Sequence, residues 1–119
     1  MSVKIVTYRQ LDIWKLGMEL VKDVYAATSD FPKEELYGLS SQMRRAAVSI
    51  VSNIAEGFRR QHNNEFKQFL HITLGSCAEL ETQSTIAREL DYINKQIESA
   101  LLEKSDHLCR MTRNLIKKL

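Results

Sequence analysis

Apolar residues along this chain recur every three or four positions with polar residues between them, the spacing that gathers side chains on one face of a helix turning about 100° per residue. The least polar long stretch of this kind is residues 36–60, LYGLSSQMRRAAVSIVSNIAEGFRR. Projected down its axis, the apolar positions run from Ala46 and Leu39 through Ile50, Met43 and Ile54 to Val51, Ala55 and Val48. That arc covers roughly 200°, about twice what a helix facing one core requires. The pattern predicts a buried central helix. Its surplus side, Val48, Val51 and Ala55, calls for a second partner, either another helix of the chain or another subunit. Arg44 falls inside this stripe, where an arginine pairs or snorkels at an interface. The opposite face carries Arg45, Ser49, Ser52, Glu56 and Arg59. It reads either as a solvated face of i,i+4 neighbours or as a strip that contacts phosphates.

The same periodicity predicts three further helices. Residues 1–9 form a leader with alternating Val3, Ile5 and Thr7, read as extended. From Leu11 onward Ile13, Leu16, Leu20 and Val24 line one side, with Trp14, Met18, Val21 and Tyr25 beside them as core or interface residues. Pro32 stops this helix, because proline disfavours helical geometry in the residue before it. Gly38 weakens the next start, so the second helix begins fully at Leu39 or Ser40. Gly57 sits on the apolar arc and permits close helix contact, while Asn63 or Asn64 is positioned to cap the third helix. That helix places Phe66, Phe69 and Leu70 at its beginning and Cys77, Ser84 and Ala87 towards its end, so the bundle should be thicker near the phenylalanines. The fourth carries Ile97, Leu101, Leu108, Met111 and Leu115. The expectation is an all-α chain, one domain over residues 1–119, with helices at about 11–29, 36–60, 64–92 and 94–118. Short connections favour an antiparallel up-down-up-down four-helix bundle, and the wide apolar arcs add that it is oligomeric.

Composition narrows the setting. At 119 residues, 44% hydrophobic and 27% charged, the chain suits a folded single domain rather than a disordered one. Cys77 and Cys109 form no CxxC pair, which excludes a zinc ribbon and fits a reducing compartment. No window has the roughly 18 apolar residues of a membrane span and no signal-peptide core is visible, so no membrane association and a cytoplasmic location are expected. Net charge is only +2, but residues 63–93 are net acidic and the flanking segments 33–62 and 94–119 net basic.

Catalytic constellations are missing. The residues three before His62, His71 and His107 are Arg59, Gln68 and Lys104, which rules out the Glu-x-x-His pairs of a ferritin-like dimetal centre. There is no zinc-protease motif, phosphate-binding glycine loop or nucleophile elbow. The reading is a protein that is not an enzyme, with no cofactor and no metal. Two binding functions remain. RNA contact would fall to Arg44, Arg45, Arg59 and Arg60 of the second helix and Arg110, Arg113, Lys117 and Lys118 of the fourth. Self-assembly, or a scaffold with a protein partner, would use Trp14, Val48, Val51 and Ala55.

The run Gln42-Met43-Arg44-Arg45-Ala46-Ala47-Val48-Ser49-Ile50, continuing through Ser52-Asn53-Ile54-Ala55-Glu56-Gly57, resembles the signature of the four-helix-bundle family named for the 23S rRNA intervening-sequence protein. Phe31-Pro32 before it and Leu74-Gly75-Ser76 with Glu79-Leu80-Glu81 after it extend the likeness over nearly the whole chain. Where the family often has proline, this chain has Val51, which keeps an amide donor and implies a less kinked helix. The resemblance implies a ring-forming homo-oligomer, often a pentamer. It is also similar in fold to the accessory variability protein of diversity-generating retroelements, which works with a reverse transcriptase and RNA.

Overall fold

A computed structural model describes residues 4–119. The chain is all-α: among the described residues there are four helices and no strand, packed as a bundle. Helix α1 spans Asp12–Thr28, α2 Leu39–Arg59, α3 Asn63–Glu89 and α4 Lys95–Lys118, with 3-10 turns at Tyr8–Gln10 and Lys33–Glu35. The molecule is elongated, 46 × 26 × 19 Å, its long axis close to the roughly 40 Å of a 27-residue helix.

The core follows the apolar stripes. Leu20 and Val24 of α1, Met43, Ile50 and Ile54 of α2, Leu70 of α3 and Leu108 of α4 are fully buried. Two glycines set how closely α2 approaches its neighbours. A Cβ on Gly57 would lie 2.6 Å from Phe69 Cβ, and one on Gly17 would lie 2.6 Å from Val51 Cγ1. The phenylalanines at the start of α3 thus fill the space that Gly57 leaves. Further along the same pair, Thr73 donates to the Ile50 carbonyl (3.2 Å), the Ser49 and Ser76 hydroxyls share a hydrogen bond (2.9 Å), and Asn53 donates to Ser49 (2.9 Å). A small polar seam therefore joins α2 to α3. Other buried hydroxyls return to their own helix: Thr28, Ser84 and Thr112 each donate to the carbonyl four residues back. Cys77 and Cys109 are buried free thiols that meet between α3 and α4. Their mutual hydrogen bond, and then burial, push the Cys77 thiol well above its ordinary range.

Each corner has a local cause. Glu35 accepts from the Leu39 amide (2.9 Å) and from the Tyr92 hydroxyl (2.9 Å), so one carboxylate caps α2 and ties it to the α3–α4 corner. That hydrogen bond raises the Tyr92 phenol above its ordinary value. At the end of α3, Asp91 takes a left-handed backbone (φ 62°), its amide donates to Arg88 and that of Tyr92 to Ala87, the Schellman arrangement. Asn94 then caps α4 by accepting from the Ile97 amide (2.8 Å). Lys104 of α4 donates to Asp23 of α1 (2.6 Å), which raises the ammonium's pKa. Arg88 of α3 pairs with the buried Glu98 of α4 (2.8 Å).

Candidate nucleic-acid interface

Of the leader expected to be extended, Val3 lies outside the described residues, Thr7 has extended backbone (φ −141°, ψ 149°), and the chain turns only at Tyr8–Gln10. Thr7 and Gln10 form a capping box: the Gln10 side chain accepts from the Val6 and Thr7 amides (2.7 and 3.1 Å), and the Thr7 hydroxyl accepts from Arg9 (3.4 Å). This folds the backbone into the first 3-10 turn and presents Tyr8 edge-on to Trp14, with ring centres 5.4 Å apart. Arg9 lies across both rings, 5.3 and 5.4 Å from their centres, and Arg59 reaches over Tyr8 from α2 at 5.5 Å. Arg60 stands 5.1 Å from the Phe69 ring and pairs with Glu56 at 3.2 Å, both side chains being about half exposed. A pair this exposed is worth about 1 kcal/mol at most, so phosphate can compete for its arginine.

The eight basic residues expected to contact RNA do not form one surface. Arg59 and Arg60 lie at the end of the bundle where Leu119 of the chain terminus packs near Phe58 and His62, bringing the last turn of α4 with Lys117 and Lys118 to the same end. Arg113 is exposed one turn earlier, and Arg110 pairs with Asp106 (3.2 Å) on the open face of α4. Arg44 and Arg45 stand apart. The Arg44 Nε donates to Thr28 (2.8 Å) and its guanidinium lies 4.6 Å from the Tyr25 ring centre. With Arg45, Leu36, Ser41 and Val48 it lines an open cleft of about 540 Å³ between α1 and α2. Arg9 and Tyr8 were not among the expected residues, although Thr-x-x-Gln is a legible capping-box pattern.

The apolar residues expected at an oligomer surface also divide. Val48 is 39% exposed. Trp14 and Ala55 are half-buried, Trp14 within the arginine–aromatic cluster. Val51 is only 8% exposed, pressed against Gly17 of α1. Of the two partners the sequence allowed for it, a helix of the same chain or another subunit, the described residues show α1 of the same chain. Asn63 and Asn64 do not cap α3 either. His62 holds the cap position with no side-chain hydrogen bond to the helix, and among the described residues no side chain accepts from the first amides of α3.

Fold and surface together define a class: a small all-α protein of four helices packed as a bundle, with arginines set against aromatic rings at its surface. Residues 9–114 match the model of the 23S rRNA-intervening sequence protein family, and the chain belongs to that family. Among solved structures it is similar to a protein of unknown function of the S23 ribosomal protein family from Bacteroides thetaiotaomicron. The TM-score is 0.78 at 20% identity, covering 88% of this chain and 98% of that one. No curated protein matches the chain.

Proposed function

We propose that this protein is a non-enzymatic homo-oligomer of antiparallel up-down-up-down bundles that associates with RNA through its basic end. The observation that carries the RNA reading is the gathering of Arg9, Arg59, Arg60, Lys117 and Lys118 at one end. Among the described residues their single ion pair is the exposed one with Glu56. Asp12 and Glu65 are also there, in the first turns of α1 and α3, where they complement the helix dipoles. The antiparallel reading is supported by partners that run in opposite directions: Thr28 meets Arg44 while Gly17 meets Val51, and Glu81 meets Ser105 while Arg88 meets Glu98.

RNA binding by such an end is carried by counterion release, so the logarithm of affinity falls by about 0.7–0.9 per phosphate contact for each tenfold rise in salt. Structured RNA titrated at two salt concentrations should show that slope, and Arg59→Ala/Arg60→Ala should flatten it by about one to two. Salt-independent binding would remove the proposal.

Self-association is supported by the cleft around Arg44. Its rim exposes Val48, Leu36 (57%) and Tyr25 (44%), and Tyr37 (92%) follows Leu36 in the chain. Tyrosine and arginine held in fixed geometry are the residue types that anchor protein interfaces. Val48→Glu should reduce the mass measured by light scattering to that of one chain; an unchanged mass would exclude this face. The same patch favours the second reading, a scaffold that binds a protein partner and no nucleic acid.

A further inference from the structure

We infer that the groove between the leader, the α2–α3 corner and the end of α4 is a nucleotide site that takes one unpaired RNA base; this rests on the RNA reading above and specifies what is bound. The groove has a volume of about 460 Å³ and continues through Val6, Phe58 and Gln61 into a second hollow of about 310 Å³ that Tyr8 and Arg59 complete. These sizes fall in the range of small-ligand pockets, about 300–1,000 Å³.

The lining divides into parts that match the parts of a nucleotide. The half-buried Phe58 with Phe66 and Leu119 makes its apolar part, and the exposed Val6 stands at its edge. A planar base covers such a surface, and stacking on an aromatic ring is tolerant of base identity. Gln61, His62 and Asn63 form one rim, offering amide and imidazole donors and acceptors of the kind that pair with base edges. The cation is Arg59, which lines the adjoining hollow. The uncapped first turn of α3 opens on the same place, where unpaired amides of a helix N-terminus suit a phosphate.

Gln61 lines both hollows. Its φ of 61° places it in the left-handed region at the end of α2, a position at which helices commonly carry glycine or asparagine. Glutamine has no such preference, yet here it puts a flexible amide into both hollows. A paired base has its edge occupied and its faces stacked, so this site selects loops, bulges and ends over continuous duplex.

The test uses one RNA hairpin in three forms: fully paired, with a single bulged 2-aminopurine, and with an abasic residue at the bulge. The purified full chain should bind the bulged form roughly tenfold more tightly than the other two, with a change in 2-aminopurine fluorescence on binding. Phe58→Ala should abolish the preference, but Phe58 packs on Phe66 (ring centres 5.9 Å apart) and its loss also weakens the bundle. Gln61→Gly is the second variant: glycine accepts the left-handed backbone, so the fold stays while the preference falls several-fold. Equal affinity for all three hairpins, with Arg59→Ala/Arg60→Ala still weakening each, would overturn the base site and leave the RNA reading standing. Absence of salt-sensitive binding to any form would overturn both.

Discussion

The two ends of the bundle carry opposite charge and use it differently. At one end Asp30, Glu34, Glu35, Glu89 and Asp91 outnumber Lys33, Arg88 and Lys95. Several of these groups are engaged inside the fold: Glu35 holds Leu39 and Tyr92, and Arg88 lies between Glu89 and Glu98. At the other end Arg9 and Arg59 rest on aromatic rings, and Lys117 and Lys118 are exposed in the last turn of α4. A cation lying over a ring keeps its charge and most of its donors, at a gain of about 0.5–1 kcal/mol at exposed sites. Charge at the acidic end is therefore spent on corners, while charge at the basic end stays available to a ligand.

The largest expected effect breaks this contrast outright. Replacing Arg59, Arg60, Lys117 and Lys118 by alanine should lower affinity for structured RNA on the order of 100-fold at low salt, with thermal stability nearly unchanged. A comparable loss on removing acidic-end charges would show that the ends are not specialised.

The acidic end should answer in stability instead. Glu35→Ala removes two charge-assisted hydrogen bonds and should cost about 2–3 kcal/mol in denaturant unfolding, leaving RNA affinity as it was. Tyr92→Phe keeps the ring against Phe31, centres 5.1 Å apart, and removes only the hydroxyl. Because the folded-state pKa of Tyr92 is raised above its ordinary 10.0, its contribution is fully present below that value. It is lost as pH rises through the higher folded value. The difference between wild type and Tyr92→Phe should thus shrink in strongly alkaline solution; a constant difference would remove the Glu35 hydrogen bond as its cause.

The smallest effect sharpens the comparison. Both ends turn on a non-glycine residue in the left-handed region, Gln61 and Asp91. Aspartate is enriched in that conformation and glutamine is not. Glycine should therefore stabilise position 61 by up to about 1 kcal/mol and position 91 by less, measured by thermal unfolding. Equal gains would show that Gln61 bears no special backbone cost.

The helices and their core faces were legible because burial imposes a period: Leu20, Met43, Ile50, Leu70 and Leu108 all stand where the stripes put them. Gly57 was legible too, since a glycine on an apolar arc has close packing as its physical use. The division of the arginines was harder to read. Arg44 and Arg59 share a helix, but Thr28 and Tyr25 hold one and Tyr8 the other, and those partners come from elements whose placement is tertiary. Which of its two possible partners covers Val51 was hidden for the same reason, because its cover is Gly17, a residue with no side chain to announce a contact. The Tyr8–Arg9 turn was within reach through Thr7 and Gln10, but alternating Val3, Ile5 and Thr7 suggested a strand-like leader instead.

For the RNA association proposed above, the elongated shape sets how many nucleotides one chain can occupy. A bundle measuring 46 × 26 × 19 Å that offers Arg9, Arg59, Arg60, Lys117 and Lys118 at one tip would meet a polyanion end-on, so its footprint would be the short cross-section and not the long side. A tip 19–26 Å across covers a short run of nucleotides. If the proposed RNA association holds, titration to saturation on a long single strand should give a site size of only a few nucleotides for each chain; a much longer site size would exclude end-on contact.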